Sequence, residues 1–251
     1  MKTAARREYA AGDFMAGRLG DRRMHPLLIE RLVYRWPGAE RSTLGIGALS
    51  LASGESLFLY GPSGCGKSTL LSAIAGVVDV PKGAIHVADQ DLGRLHGGAR
   101  DRFRVDHIGM IFQVFNLVPW LSALENVLLP CRFSQSRRTR AGEDPAGTAR
   151  RLLHELGLSD PSLASKQAHE LSVGQQPRVA AARALIGKPD LILADEPTSA
   201  LDEAAKAAFV DLLARECAQA GSALLFVSHD RSLEGHFDRS LDFRDLNRGT
   251  E

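Results

Sequence analysis

The chain has 251 residues, enough for one large domain or for a domain that carries a subdomain. Its 44% hydrophobic content allows a sizeable core, and its 31 lysines and arginines nearly balance its 30 aspartates and glutamates. The resulting net charge of +1 argues against a protein that wraps nucleic acid, because such proteins usually carry a strong basic excess. The three cysteines form no C-x-x-C pair, which disfavours a disulfide framework or a zinc site and favours an intracellular protein.

The sequence predicts neither a transmembrane helix nor a secretory signal. The most apolar stretch, Asn116 to Pro130, is interrupted by proline, serine, glutamate and asparagine, so it is unsuited to span a bilayer. Residues 1–25 contain arginines but lack an apolar h-region. We interpret them as a disordered N-terminal extension, in which Met15 and Met24 are alternative start sites.

The first half of the chain predicts strands around one helix. The run LLIERLVYRWPG is strand-like and closes at a Pro-Gly pair, and the apolar run from Ser56 to Tyr60 predicts a short buried strand. KSTLLSAIAG then predicts a helix that ends at Gly76. A further strand is predicted from Asp106 to Gln113.

The middle of the chain, about residues 115–185, has no obvious strand and predicts a helical insertion. Ser122 and Glu125 have the S-x-x-E spacing of a capping box. The polar stretch at 134–147, SQSRRTRAGEDPAG, predicts a surface loop in which Arg137 to Arg140 are solvated.

The last third alternates helices with apolar strands. QQPRVAAARALIG predicts a helix, and the run from Leu191 to Pro197 predicts a buried strand that ends in two acids. An amphipathic helix follows, and SALLFVSHD predicts another buried strand that ends at His229. This alternation predicts a parallel sheet covered by helices.

The segment GPSGCGKST, placed between a predicted strand and a predicted helix, indicates a loop that wraps phosphates. Its glycines let consecutive N–H groups point inward as a nest for anions, and the start of the helix adds its positive dipole. The lysine can reach the β- and γ-phosphates, and the serine after it can offer its hydroxyl to Mg²⁺. The predicted phosphate-binding residues are Gly61, Pro62, Ser63, Gly64, Cys65, Gly66, Lys67, Ser68 and Thr69.

A phosphate loop alone fits kinases, GTPases and many ATPases, so the motifs after it are needed to narrow the class. Asp195 ends a buried strand and can support Mg²⁺ through water, and the next carboxylate, Glu196, can polarise a water aimed at the γ-phosphate. LSVGQQ places Ser172 and Gly174 at a helix start, a second anion-binding terminus that the chain's own phosphate loop does not need. The motifs SALD and SHD complete the order.

In this order the five motifs resemble the ATP-binding subunits of ATP-binding-cassette (ABC) transporters, over roughly Leu27 to Arg244. The resemblance implies an α/β fold: a P-loop NTPase (RecA-like) core with an antiparallel β edge and a helical ABC-specific subdomain. It implies one ABC ATPase domain at 26–251, with the core at about 26–113 and 186–251 and the helical subdomain at about 114–185.

The resemblance also implies roles for single residues. Glu196 would be the general base, His229 would contact the γ-phosphate, and Gln113, in the Q-loop, would sense Mg²⁺ and the attacking water. Trp36, with Tyr34 behind it, is expected to stack on adenine. The implied catalytic residues are Lys67, Gln113, Glu196 and His229; the implied metal residues are Ser68, Gln113 and Asp195; and the implied nucleotide contacts beyond the phosphate loop are Trp36, Gln113, Ser172, Gly174, Gln175, Asp202 and His229.

Two such subunits in the family sandwich two ATP molecules head to tail, so the resemblance implies a homodimer that uses ATP and Mg²⁺. The signature residues Ser172, Gly174 and Gln175 would bind the ATP of the other copy, and Asp202 would cross the interface. An integral membrane permease is the implied partner, periplasmic or accessory proteins are further candidates, and no nucleic acid is expected. The implied location is peripheral, on the cytoplasmic face of the inner membrane.

Within the family, the stretch from Ile108 to Pro130 looks like the small subunits of lipoprotein-releasing, macrolide-exporting and cell-division-type systems, which implies export or extraction of a substrate from the membrane. The chain departs from them with TSALD in place of TGNLD, and from the LSGGQ signature at Val173. Pro177 is expected to interrupt the following helix, since a proline in a helix interior costs about 3 kcal/mol. We therefore expect weaker binding of the second subunit's ATP or a bent helix, and a higher ATPase activity in Pro177→Gln.

Two alternatives stay open at this point. A soluble ABC ATPase that acts on DNA or ribosomes is disfavoured by the single cassette, by the lack of a long coiled coil between the motifs and by the near-neutral charge. An ATP-dependent regulator of a membrane complex, without transport, is disfavoured by the intact Glu196 and His229, but the altered signature leaves it open.

Overall fold

The computed structural model describes residues 25–248, and the predicted extension at 1–25 lies outside them apart from His25. No helix in the described part of the chain is long and apolar enough to cross a membrane. The strands are β1 (Leu27–Tyr34), β2 (Leu44–Leu51), β3 (Ser56–Tyr60), β4 (Ile85–Val87), β5 (Gln90–Asp91), β6 (Ile108–Ile111), β7 (Leu191–Asp195), β8 (Ala223–Ser228) and β9 (Arg239–Asp242). The helices are α1 (Lys67–Ile74), α2 (Gly97–His107), α3 (Ala123–Phe133), α4 (Gln135–Arg140), α5 (Pro145–Glu155), α6 (Gln176–Leu185), α7 (Glu203–Ala220) and α8 (Phe243–Leu246).

A five-stranded parallel sheet has the strand order β6-β7-β8-β3-β9. Its strands β3, β7 and β8 are nearly continuous runs of buried residues, because both faces of the sheet are covered and alternate side chains enter two hydrophobic cores. Parallel pairing brings the carboxyl ends of β6, β7, β8 and β3 to one edge, where open α/β sheets bind ligands. The predicted helix-covered parallel sheet is confirmed.

The predicted antiparallel part is a four-stranded sheet of its own, with the order β2-β1-β4-β5. Its inward side chains share one hydrophobic core with α1 and with one face of the parallel sheet; Leu27, Leu44, Leu57 and Leu70 all belong to this core. The helix that follows the phosphate loop is therefore packed between the two sheets.

Between β6 and β7 the chain forms α3, α4, α5 and α6, as the predicted helical region requires. The capping box is confirmed, because the Ser122 hydroxyl accepts a hydrogen bond from the Glu125 N–H and the Glu125 carboxylate accepts one from the Ser122 N–H. The predicted strand at 106–113 is shorter than expected, since α2 continues to His107 and Gln113 lies in a turn. The subdomain limits at 113 and 186 stay predictions.

The prediction of a solvated surface loop at 134–147 is wrong. This segment contains α4 and the start of α5, and Arg137 is only 2% exposed. The Arg137 guanidinium donates hydrogen bonds to the carbonyls of Ala184, Ile186 and Ile108. A helix C-terminus leaves carbonyls without partners inside the helix, so one buried cation satisfies the end of α6. Burial lowers the pKa of Arg137 to about 10, so it stays charged at neutral pH.

Pro177 does not interrupt α6, contrary to the expectation from the sequence. The helix begins at Gln176, so Pro177 lies in its first turn. Backbone N–H groups in a first turn have no partner inside the helix, and a proline there removes nothing that the helix needs. The bend expected at this position has no physical cause.

Pro177→Gln is consequently expected to leave the protein almost unchanged. The free energy of unfolding should change by less than about 1 kcal/mol and the rate of ATP hydrolysis by less than about twofold, because proline is tolerated at this position. Urea unfolding and steady-state phosphate release, compared with the wild type, check this. A large gain in ATPase activity would revive the idea of a proline-weakened signature.

Candidate active site

The phosphate loop connects β3 to α1 and has the backbone conformation that its glycines allow. Gly64 and Gly66 have φ angles of 78° and 110°, in the left-handed region that favours glycine. A Cβ on Gly66 would lie 3.3 Å from both Phe243 and the Thr43 carbonyl oxygen, so a larger residue would also be crowded. Lys67 is 6% exposed, and its Nζ donates to the carbonyl oxygen of Gly61 at 2.8 Å and to that of Pro62 at 2.9 Å. The lysine amine is thus folded into the loop.

Asp195 ends β7 beside the start of α1. Burial raises the pKa of the Asp195 carboxyl, and a hydrogen bond with Ser68 and the charge of Lys67 oppose that rise. Mg²⁺ prefers oxygen ligands and is usually bound by one or two carboxylates together with substrate phosphates and water. The Asp195–Ser68 pair fits this donor set. Within residues 25–248, no group of three or more His, Cys, Asp and Glu side chains is arranged to hold a metal ion.

Glu196 and His229 meet across the ends of β7 and β8. The Nδ1 atom of His229 lies 2.7 Å from Oε2 of Glu196, at hydrogen-bond distance. Glu196 has a φ of 46°, which is unusual for a non-glycine residue, and its N–H donates to the carbonyl oxygen of Val227 at 2.9 Å. The Glu196 side chain is 15% exposed and that of His229 is 58% exposed. A carboxylate and an imidazole in contact at the phosphate-loop edge can accept and pass on a proton.

Gln113 follows β6, the strand next to β7, and lies in an exposed turn. Gln113 therefore lies at the carboxyl edge of the sheet, the same edge that carries Asp195 and Glu196. Two large apolar side chains in the connection between β6 and α3 are strongly exposed: Val114, the residue after Gln113, at 80%, and Trp120 at 71%. These two exposed side chains, Val114 and Trp120, are called the apolar patch below.

The signature residues lie directly before α6, at its N-terminal end. Ser172 is exposed, and its N–H donates to Oε1 of Gln175 at 2.9 Å, which orders the turn around Gly174. Asp202 caps α7, where it accepts a hydrogen bond from the Ala205 N–H at 2.8 Å. Among the described residues, no hydrogen bond or ion pair joins this group to the phosphate loop.

Trp36 follows β1 and is 43% exposed. Its ring meets that of Tyr34 edge to face, with the centroids 5.3 Å apart and an angle of 84° between the planes. Tyr34 therefore supports Trp36 from behind, and the exposed part of the indole is free to stack on a planar ligand.

Comparison with known proteins decides the family. Residues 46–199 match the family described as ABC transporter. The uncharacterized ABC transporter ATP-binding protein YbbA of Escherichia coli strain K12 is 40% identical to this chain over 195 residues, which are 77% of this chain and 82% of that protein. The chain belongs to the ABC transporter family. The ABC transporter ATP-binding protein Rv0073 of Mycobacterium tuberculosis is 38% identical over 238 residues, 91% of this chain and 69% of that protein.

Solved structures support the fold of an ABC ATPase. The ATP-binding cassette MJ0796, in a dimeric post-hydrolysis state bound to ADP and Pi, superimposes with a TM-score of 0.72 at 31% identity and covers 89% of this chain and 95% of that chain. CbiO1 of Clostridium perfringens, at 24% identity and a TM-score of 0.74, shows the fold alone. The predicted P-loop NTPase fold and the predicted class, an ABC transporter ATPase, are confirmed. The narrower subfamily stays a prediction.

Asp230, the residue after His229, connects the candidate site to helix α7. Oδ2 of Asp230 lies 2.6 Å from Nζ of Lys206, and Oδ1 accepts hydrogen bonds from the N–H and hydroxyl of Ser232. These partners, the Lys206 hydrogen bond above all, lower the pKa of Asp230 to about 2. A carboxyl with a lowered folded-state pKa stabilises the fold above its unfolded pKa, near 3.8, and the contribution is lost as the pH falls through about 2.

Asp230→Asn is therefore expected to lower the free energy of unfolding by about 1 kcal/mol near neutral pH, the size of one partly exposed charge-assisted hydrogen bond. The difference from the wild type should shrink as the pH falls from about 4 to about 2, because the wild-type carboxyl then becomes protonated. Urea unfolding of both proteins near pH 6 and near pH 3 measures this. An equal difference at both pH values would contradict the assignment to the Asp230 charge.

Three features of the candidate site were not predicted from the sequence. They are the direct contact of Glu196 with His229, the ion pair between Lys206 and Asp230, and the packing of Phe243 against the phosphate-loop glycines. Phe243 follows β9, a strand that the sequence pattern did not indicate, and no local signal places it under the loop.

Proposed function

We propose that the chain binds MgATP between two head-to-tail copies of itself and hydrolyses it to drive a separate membrane permease. The observation that carries the proposal is the 2.7 Å contact of His229 with Glu196 at the sheet edge that also carries the phosphate loop. The Glu196 carboxylate is suited to take a proton from the attacking water, and the His229 imidazole is suited to orient that carboxylate.

The phosphate loop provides binding and charge neutralisation. Its backbone N–H groups and the ammonium of Lys67 would bind the β- and γ-phosphates. Thr69 lies in the first turn of α1 and would add a further phosphate contact. Asp195, Ser68 and Gln113 would hold Mg²⁺, which neutralises phosphate charge when it is bound. Glu196 would activate water for in-line attack, and positioning would supply most of the remaining rate enhancement.

Over the part of the chain that the structure describes, no hydrogen bond or ion pair joins the signature residues to the phosphate loop of the same chain, which supports the head-to-tail dimer. The start of α6, with Ser172, Gly174 and Gln175, is a helix N-terminus that can bind an anion but is not part of the chain's own phosphate loop. Asp202 lies at the start of α7. MJ0796, which is similar to this chain, is dimeric in its ADP- and Pi-bound structure. Trp36 would stack on the adenine of the ATP bound by its own chain.

Two variants separate the roles of the phosphate loop and the signature. Lys67→Ala should weaken ATP binding by the single chain at least about tenfold, because it removes the positive charge that binds the phosphates. Ser172→Arg should leave that binding within about twofold but abolish ATP-dependent dimerisation and turnover, because the arginine would fill the space of the partner's nucleotide. Fluorescent-nucleotide titration and light scattering measure both. A loss of single-chain affinity in Ser172→Arg would overturn the head-to-tail arrangement.

The apolar patch beside Gln113 supports a permease as the partner. Exposed apolar surface is common at interaction sites; Val114 lies in the same turn as Gln113, which would sense Mg²⁺, and Trp120 lies further along the same connection to α3. The subunit would then lie peripherally on the cytoplasmic face of the membrane. A tagged wild-type chain should capture a multi-span protein from detergent-solubilised native membranes, and Trp120→Arg should lose it while retaining ATP-dependent dimerisation. Capture of ribosomes or DNA instead would favour the soluble alternative.

A further inference from the structure

The segment that carries His229 is attached to helix α7 by a partly buried lysine. Nζ of Lys206 lies 2.6 Å from the carboxylate of Asp230 and 3.7 Å from that of Glu203, and its side chain is 18% exposed. The Ser232 hydroxyl also belongs to this group, since its oxygen lies 2.9 Å from the carboxylate of Glu203 and 2.7 Å from that of Asp230, and its single proton can bond to either. The start of α7 and the segment after β8 are thus joined through one cation.

The same helix follows the segment that carries Glu196. This segment leaves β7 after Asp195, and α7 begins at Glu203. Lys206 therefore connects the chain after β7 with the chain after β8, the two segments whose side chains meet in the contact between Glu196 and His229.

The imidazole of His229 has little other support. It is 58% exposed, and among the described residues its side chain forms a hydrogen bond with Glu196 alone. Its position is consequently set by its backbone between Ser228 and Asp230, where the Asp230 N–H donates to the Ser228 hydroxyl at 3.1 Å. The carboxylate of Asp230, bonded to Lys206, anchors the backbone on the C-terminal side of His229.

We propose that Lys206 is a positioning residue for ATP hydrolysis, which holds Asp230 and thereby keeps His229 against Glu196. The proposal rests on the function proposed above, since it assumes that Glu196 and His229 act on ATP. Lys206 bonds to Asp230 and Glu203 within the described residues, so it would act through His229 and not on the nucleotide.

Lys206→Met removes the charge and keeps most of the side-chain volume. It is expected to lower kcat about tenfold, because a small displacement of a catalytic group slows the chemical step, and to leave the KM for MgATP within about twofold. Arg215→Met is the matched control, since Arg215 lies on the same helix but pairs with Glu155 at 3.9 Å. Steady-state hydrolysis is measured well below the thermal unfolding midpoint of each variant.

Two further variants distinguish positioning from a general effect on stability. Lys206→Arg should recover most of the wild-type kcat, because the arginine keeps the ion pair with Asp230. Lys206→Met should cause no further loss in a His229→Ala background, because the lysine acts through that imidazole. An unchanged kcat in Lys206→Met, or a second tenfold loss in the His229→Ala background, would overturn the proposal.

The outcomes also separate this proposal from the function on which it rests. Failure of the wild type to hydrolyse MgATP would overturn the proposed function, and full turnover in Glu196→Gln would overturn the role of Glu196 on which this proposal rests. Slow turnover in Glu196→Gln together with full turnover in Lys206→Met would overturn only the role of Lys206.

Discussion

Glu196→Gln is expected to lower the rate of ATP hydrolysis by about 10²- to 10⁴-fold, the range that positioned general acid–base groups contribute. The amide keeps the size of the side chain and can still bond to His229, but it cannot take a proton from water. Affinity for MgATP should stay within about twofold, because the phosphate loop and Asp195 are untouched. The variant should therefore accumulate as an ATP-bound dimer.

Phosphate release at saturating ATP, nucleotide titration and light scattering together measure this prediction. Glu155→Gln is the control, because it makes the same chemical change on a distant, half-exposed glutamate. If Glu196→Gln hydrolysed ATP at the wild-type rate, another group would have to be the base. If it failed to bind ATP, the loss of activity would say nothing about proton transfer.

Arg137→Met is expected to lower the free energy of unfolding by about 3–5 kcal/mol, although Arg137 is not one of the predicted nucleotide-site residues. Its guanidinium satisfies carbonyls at the end of α6 and at the start of β6, and all of these groups are buried. Methionine would fill part of the volume but would leave the carbonyls without donors. Unsatisfied buried polar groups cost about 1–3 kcal/mol each.

Arg138→Met provides a matched control, because Arg138 is the next residue of α4 and is exposed. The control should change the free energy of unfolding by less than about 0.5 kcal/mol, as surface substitutions usually do. Urea unfolding followed by circular dichroism, without nucleotide, compares the three proteins. Equal stability of the two variants would contradict the assignment of a structural role to Arg137.

The features that the sequence by itself determined are local or follow from the order of the motifs. The glycine spacing of the phosphate loop requires left-handed φ values that the structure contains at Gly64 and Gly66. The apolar runs of β3, β7 and β8 are buried on both sides, so continuous hydrophobicity together with short length indicates strands. The Ser122–Glu125 capping box forms within one helical turn.

Other features depend on contacts between distant segments, so only the tertiary structure decided them. Helix α2 buries none of its residues and therefore leaves no periodic apolar pattern in the sequence. Arg137 was predicted to be solvated because an arginine in a polar run normally is, and it is buried because α6, 47 residues away, offers it unpaired carbonyls.

The arrangement of the site also required the fold. Glu196 and His229 are 33 residues apart, and Lys206 and Asp230 are 24 apart. Parallel pairing of β7 with β8 brings the first pair together, and the return of α7 along the sheet brings the second. The sequence supplied the side chains of the site, but their hydrogen bonds depend on strand register and helix packing, which no local pattern encodes.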